Sequence, residues 1–112
     1  MMKRGDIFLV DFEPSKGAEI RKKRPALIIS CNEANMYLKT VMVIPFSSKI
    51  DNIYPFEVLI RKEESGLNAD SKLKIPQMRA VDKKRLTKHI GNLPGDVLEE
   101  TERAIKLHLD ME

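Results

Sequence analysis

Apolar residues along this chain fall into short runs that are too brief and too β-branched to be helices. Residues 6–12, DIFLVDF, are apolar at both parities, which fits a strand buried on both faces in the middle of a small barrel. Residues 26–29, ALII, and 40–46, TVMVIPF, read as two further buried strands. Pro45 cannot donate to a ladder, so it predicts an edge or a bulge in the second of these. In residues 55–60, Phe56, Val58 and Ile60 alternate with Glu57 and Leu59. A fifth strand is expected over 72–81, KLKIPQMRAV, where the inward set is Leu73 and Ile75 before Pro76 but Met78 and Ala80 after it. A slip of one residue is what a β-bulge produces. It leaves Lys72, Lys74, Gln77 and Arg79 together on the outward face, a track suited to phosphates.

The stretches between these runs carry turn and capping chemistry. In residues 13–17, Pro14 presets one dihedral and Gly17 permits a positive one, and residues 18–23 are expected as an exposed loop carrying Glu19. Asn32 predicts a cap for a helical turn over 33–38. Residues 61–70 read as a charged loop broken by Gly66. Asp82 caps a short basic helix over 83–88, and 89–93 is a brief last strand or a connector. Residues 94–109 predict an amphipathic helix, with Pro94 in its first turn and Val97, Thr101, Ala104, Ile105 and Leu109 on one face. Asp96, Glu99 and Glu100 near its start complement the helix dipole. The expected fold is mainly β with short helices (α+β): one domain over residues 1–112, a small bent barrel closed by a C-terminal helix.

Charge changes this picture because it is unevenly placed. Residues 1–92 carry 18 Lys and Arg against 11 Asp and Glu, a balance of +7; residues 93–112 carry two against six, which brings the whole chain to +3. A basic body with an acidic end points to a polyanionic partner. No apolar run approaches the ~18 residues that span a bilayer, and the start, MMKRGD, does not resemble a secretory signal. A single cysteine, Cys31, forms no internal disulfide. The expected location is the cytoplasm, with no membrane partner.

Few residues offer reactive chemistry. His89 and His108 are the only histidines, and no Cys or His pair has a metal-ligand spacing. Cys31 has no evident histidine partner and is expected as a small buried residue. There is no phosphate-binding glycine loop and no nucleophile elbow. What stands out is Arg24, the last of four consecutive cations, which Pro25 forces into an extended conformation. Ser47 and Ser48 end the neighbouring strand. A guanidinium fork and a hydroxyl meeting at a sheet edge suit a phosphate.

These residues carry a resemblance to the MazF/PemK (Kid) toxins of toxin–antitoxin systems. RGDIFLVDFEPSKGAEIRKKRPALIIS resembles that family's opening strand, G-x-E loop and RPxLxxS strand. VMVIPFSS resembles its VVP-x-TS strand, and QMRAVDKKRL followed by IGNL resembles its Q-x-R-T-x-D-K-x-R-L segment. The resemblance runs over residues 3–109. It implies a homodimer of SH3-like or CcdB-like barrels that cleaves single-stranded RNA with no metal or other cofactor. Attack by the ribose 2′-hydroxyl would leave a 2′,3′-cyclic phosphate and a 5′-hydroxyl, and a cognate antitoxin would inhibit the enzyme. Carried over by position, the catalytic arginine falls on Arg24, the catalytic threonine on Ser47 and the supporting glutamine on Gln77. Glu19 matches the loop glutamate, and Ser48, Lys74 and Arg79 are the expected substrate-binding neighbours.

The chain departs from the family pattern at two places. Ser47 keeps the hydroxyl but lacks the methyl that restricts a threonine rotamer, and Pro76 stands where members usually carry Asp or Glu. Two competing functions share the expected fold: a CcdB-like toxin that binds gyrase, and a non-catalytic SH3-like barrel that binds nucleic acid.

Overall fold

The computed structural model describes residues 2–112. Seven strands and three short helices follow one another as β1 (Asp6–Asp11), β2 (Lys23–Ile28), α1 (Asn32–Tyr37), β3 (Thr40–Ser47), β4 (Glu57–Ile60), α2 (Lys62–Ser65), β5 (Ser71–Lys74), β6 (Arg79–Asp82), β7 (Leu86–Asn92) and α3 (Gly95–His108). All pairings are antiparallel, and the hydrogen-bonded order is β4-β5-β3-β2-β1-β7, with β6 also pairing β3. The result is an open, strongly bent, mainly β sheet with a C-terminal helix.

The sheet is apolar on both faces because its central strands are buried on both. Consecutive residues Ala26, Leu27 and Ile28 of β2 are all fully buried. Leu27 joins Ile7, Ile44, Phe46 and Leu73 in a core that Val97 and Ala104 of α3 cover. Ala26 and Ile28 join Val10, Phe12, Val41, Val43 and Val81 in a second core on the other face. The helix adds little intrinsic stability; it is held by its apolar stripe and by Arg4, which bonds Glu102 of α3 and the Ile29 carbonyl. No helix among the described residues is long and apolar enough to cross a membrane.

β3 organises the molecule by changing partners along its length. Its first half pairs β6 through Thr40↔Asp82 to Val43↔Arg79, its middle pairs β2 through Val43↔Ile28 to Pro45↔Ala26, and its end pairs β5 through Phe46↔Leu73 and Ser47↔Lys72. The segment expected as one bulged strand over 72–81 is therefore two strands. Residues Ile75–Gln77 form a 3₁₀ turn between them, with Pro76 inside the turn, and β5 and β6 pair different parts of β3. Five further differences are local. Asn32 lies inside α1, which Cys31 precedes, and its side chain instead accepts the Arg4 amide at 2.7 Å. Cys31 is exposed rather than buried. The expected 61–70 loop contains α2. The expected basic helix over 83–88 is a single 3₁₀ turn, capped by Asp82 as anticipated, before β7 begins at Leu86. Finally, α3 starts at Gly95, so Pro94 caps the helix rather than occupying its first turn.

Two glycines serve close approach. Gly66 ends α2 with φ +81°, a conformation costly for other residues. Gly91 of β7 packs so tightly on α2 that a Cβ there would lie 2.4 Å from the Ser65 carbonyl oxygen.

Candidate active site

The β2–β3 ladder stops at Ala26↔Pro45. The next hydrogen-bonded position falls on Pro25, which has no amide hydrogen to donate. Carrying the register two places further would set Arg24 opposite Ser47. Instead β3 leaves β2 and joins β5, so Arg24 and Ser47 flank a fork in the sheet. Arg24 remains paired on its other side with Val10 of β1, and its Nε donates to the Arg21 carbonyl at 3.1 Å. Just before it, Lys22 holds a positive φ of 66°. That bend is tied to β1 by Phe12 N–H donating to the Lys22 carbonyl at 2.9 Å.

Next to the fork lies an open cleft of about 470 Å³ lined by Arg24, Ser48, Asn68, Lys88 and His89 over an apolar floor that includes Phe46. No carboxylate lines it. His89 is exposed, 5.0 Å from the Phe8 ring and 3.7 Å from an Asp6 oxygen. Ser47 is half-buried, and its Oγ accepts the Lys49 amide at 3.2 Å.

Gln77 sits in the 3₁₀ turn, where both ends of its amide hold the loop between β1 and β2. Its Oε1 accepts the Ile20 N–H at 3.3 Å, and its Nε2 donates to the Ala18 carbonyl at 3.2 Å. Glu19 lies between these two anchors, exposed, accepting the Lys16 amide at 2.7 Å. Arg79 lies half-buried with its guanidinium carbon 5.8 Å from the Phe12 ring centroid. Among the described residues, its Nη1 is the one buried side-chain nitrogen or oxygen with no hydrogen-bond partner. A guanidinium nitrogen that is buried without an acceptor is a costly arrangement.

The expected outward face of cations is thus only partly formed. Lys74 is half-buried and opposite Glu57 across β4 and β5. Lys72 is not on the surface: its Nζ is 2.9 Å from Glu57 Oε1, with the two side chains only 8% and 7% exposed. The same nitrogen donates to the Asn52 carbonyl at 2.9 Å and lies 5.5 Å from the Tyr54 ring centroid. Period-2 alternation put Lys72 and Lys74 on one face, but it carries no sign that residues 52–57 fold over half of that face. Burial pushes the Glu57 carboxyl up, yet the Tyr54 N–H, the Lys72 hydrogen bond and the charges of Lys72 and Lys74 outweigh it. The net effect holds the group below its ordinary value of 4.5. Glu57 and Lys88 are residues near the site that the sequence did not single out, and His89 was weighed only as a metal ligand. Nothing in their local pattern distinguished them.

The cleft thus brings together the Arg24 guanidinium and the Ser48 hydroxyl, while Ser47, Gln77 and Arg79 lie outside its lining. Among the described residues no group of three His, Cys, Asp or Glu side chains is placed to hold a metal ion. Comparison with known proteins gives this geometry its context. The profile of PemK-like, MazF-like toxins of type II toxin–antitoxin systems matches residues 3–109. The chain is 36% identical over 116 residues to endoribonuclease MazF9 of Mycobacterium tuberculosis, an alignment covering 99% of this chain and 98% of that one. Among solved structures, it is similar to MazF of Deinococcus radiodurans, with a TM-score of 0.84 and 26% identity over 98% of this chain and 97% of that chain. It is also similar to a chain of the MazE–MazF structure from the same organism, with a TM-score of 0.80 and 25% identity over 99% and 98% of the two chains. With a family match over nearly its whole length and a relative above one-third identity, this chain belongs to the PemK-like, MazF-like toxins of type II toxin–antitoxin systems.

Proposed function

We propose that the protein is a cytoplasmic endoribonuclease toxin, a single domain that cleaves single-stranded RNA at the fork between β2 and β3. The observation that carries this reading is the full-length match to an endoribonuclease, joined to a site built from phosphate-binding donors. The 2′-hydroxyl of the nucleotide before the cut attacks the adjacent phosphorus. A bond from O2′ to phosphorus forms, the bond from phosphorus to O5′ breaks, and the electron pair leaves on O5′. One proton leaves O2′ and one is delivered to O5′, giving a 2′,3′-cyclic phosphate and a 5′-hydroxyl.

Charge grows on the non-bridging oxygens during attack, and a fixed guanidinium stabilises that growth more than it stabilises the ground state. Arg24 fills this role, with Ser47 as a hydroxyl donor to the same phosphate. Arginine is a poor base because its pKa lies above ~12, so the proton passes through another group or water. Gln77 holds residues 18–20 in place and supports the site, and the loop carries Glu19 to the substrate. Ser48, Lys74 and Arg79 bind flanking parts of the RNA.

Two protein partners follow from the same reading. The chain acts as a homodimer, the commonest closed assembly, and a cognate antitoxin inhibits it. The MazE–MazF relative supports the second, and the basic body of residues 1–92 suits an acidic inhibitor segment that folds on binding. Incubation of the purified protein with a long single-stranded RNA in EDTA tests the activity. Discrete fragments ending in 2′,3′-cyclic phosphate are expected; intact RNA overturns the reading.

A further inference from the structure

The connection between β3 and β4 begins at Ser48, directly after Ser47, and residues 51–56 are exposed throughout. Beneath it lies one of the least solvated ion pairs in the chain, Lys72 with Glu57. The partners of the Lys72 ammonium are the Asn52 carbonyl and the Tyr54 ring of this connection and the carboxylate of Glu57, which opens β4. Glu57 and Tyr54 are themselves doubly bonded. The Tyr54 N–H donates to Glu57 Oε1 at 3.0 Å, and the Glu57 N–H donates to the Tyr54 carbonyl at 2.9 Å. Lys72 also stands directly across the ladder from Ser47. One buried cation therefore links the strand position opposite Ser47 to the far end of the connection that starts beside it.

Stability alone does not call for this arrangement. Burying two charges costs several kcal/mol of desolvation, and apolar side chains of similar size usually serve a fold as well. What an ion pair with a carbonyl ligand adds is directional, because it fixes where the backbone at 52–57 lies. We infer that Lys72, through Glu57 and Asn52, is a positioning residue that sets the shape of the 48–56 connection and so determines which RNA sequence the site accepts. The inference rests on the endoribonuclease reading and deepens it.

The test compares wild type with the single variant Lys72→Met and the double variant Lys72→Met/Glu57→Met, which replaces the pair with apolar side chains of similar length. Thermal melting reports the fold, cleavage-site mapping on a long RNA reports selectivity, and kcat and KM are measured on one preferred site. The double variant is expected to melt close to wild type yet show relaxed site preference and a fall in kcat/KM of roughly 10–100-fold, the range that small misplacements cost. Hydrogen exchange is read in parallel because it needs no activity: the Tyr54 amide should exchange faster in Lys72→Met, where its acceptor Glu57 is kept. Wild-type selectivity and kcat/KM in the double variant, or wild-type Tyr54 exchange in Lys72→Met, overturns the inference and leaves the pair purely structural. Failure of wild type to cleave any RNA strikes the endoribonuclease reading instead, and exchange at Tyr54 still decides whether Lys72 shapes the connection.

Discussion

Gln77 and Ile20, 57 positions apart in the chain, are joined by the glutamine oxygen accepting the Ile20 amide at 3.3 Å. With the return bond to Ala18, this makes Gln77 the tie between the turn after β5 and the loop that carries Glu19. Replacing it with Leu keeps the bulk and removes both bonds. Gln77→Leu should speed amide exchange at Ile20 and lower cleavage by about tenfold or more, since a loosened loop no longer presents a fixed site. Unchanged exchange at Ile20 would show that the loop is held by other contacts.

Gly91 makes a sharp prediction about packing. A methyl group at this position meets the Ser65 carbonyl at 2.4 Å, and the obstacle is backbone. Gly91→Ala should therefore destabilise the protein by about 1–3 kcal/mol, the usual cost of overpacking. Urea unfolding measures this, and a midpoint equal to wild type would mean that α2 moves away freely.

The Glu57 carboxyl gives the protein an acid-sensitive component. Its folded value lies below 4.5, so the folded state favours the charged form. Its contribution is fully present above the unfolded value and is lost as pH falls through the folded one. Melting temperature should decline below about pH 4.5, and Glu57→Gln should flatten part of that decline. Parallel acid profiles for the two proteins would contradict this assignment.

Much of the fold was readable from the pattern of apolar positions. β1 was marked by apolar residues at both parities, β2 and β3 by β-branched apolar runs, and α3 by a helical stripe that the structure buries at Val97, Thr101 and Ala104. The pairing of β2 with β3 was also within reach, though the ladder ends at Ala26↔Pro45, before Arg24 and Ser47 would face each other. Less legible were features set by tertiary pairing. The parity slip at Pro76 was a true local signal, but a bulge and a 3₁₀ turn slip parity alike. Only the two separate ladders to β3 distinguish them. Lys83 to Arg85 favour helix by composition, yet β1 recruits the following residues into β7. Lys72 looked outward because its strand neighbours alternate; its burial depends on residues 52–57, which share no pattern with it.

Ser47 raises a question of degree that substitution answers. Ser47→Thr should hold or raise the cleavage rate, because the added methyl narrows the rotamers and keeps the hydroxyl. Ser47→Ala should lower it, less so if Ser48 donates in its place. If Arg24 and Ser47 act on one phosphate, the double variant should lose less than the two single losses combined. Strict additivity in single-turnover cleavage would place them at separate tasks.

The most direct test is single-turnover cleavage of a fluorescent RNA by wild type and Arg24→Ala, in EDTA, with melting curves for both. Arg24 is half-buried at the start of a strand and its one side-chain bond is local, so the variant should melt near wild type. Its cleavage rate should fall by roughly 10²–10³, the cost of removing one donor aimed at developing charge. A folded Arg24→Ala that cuts as fast as wild type would contradict the site at the fork.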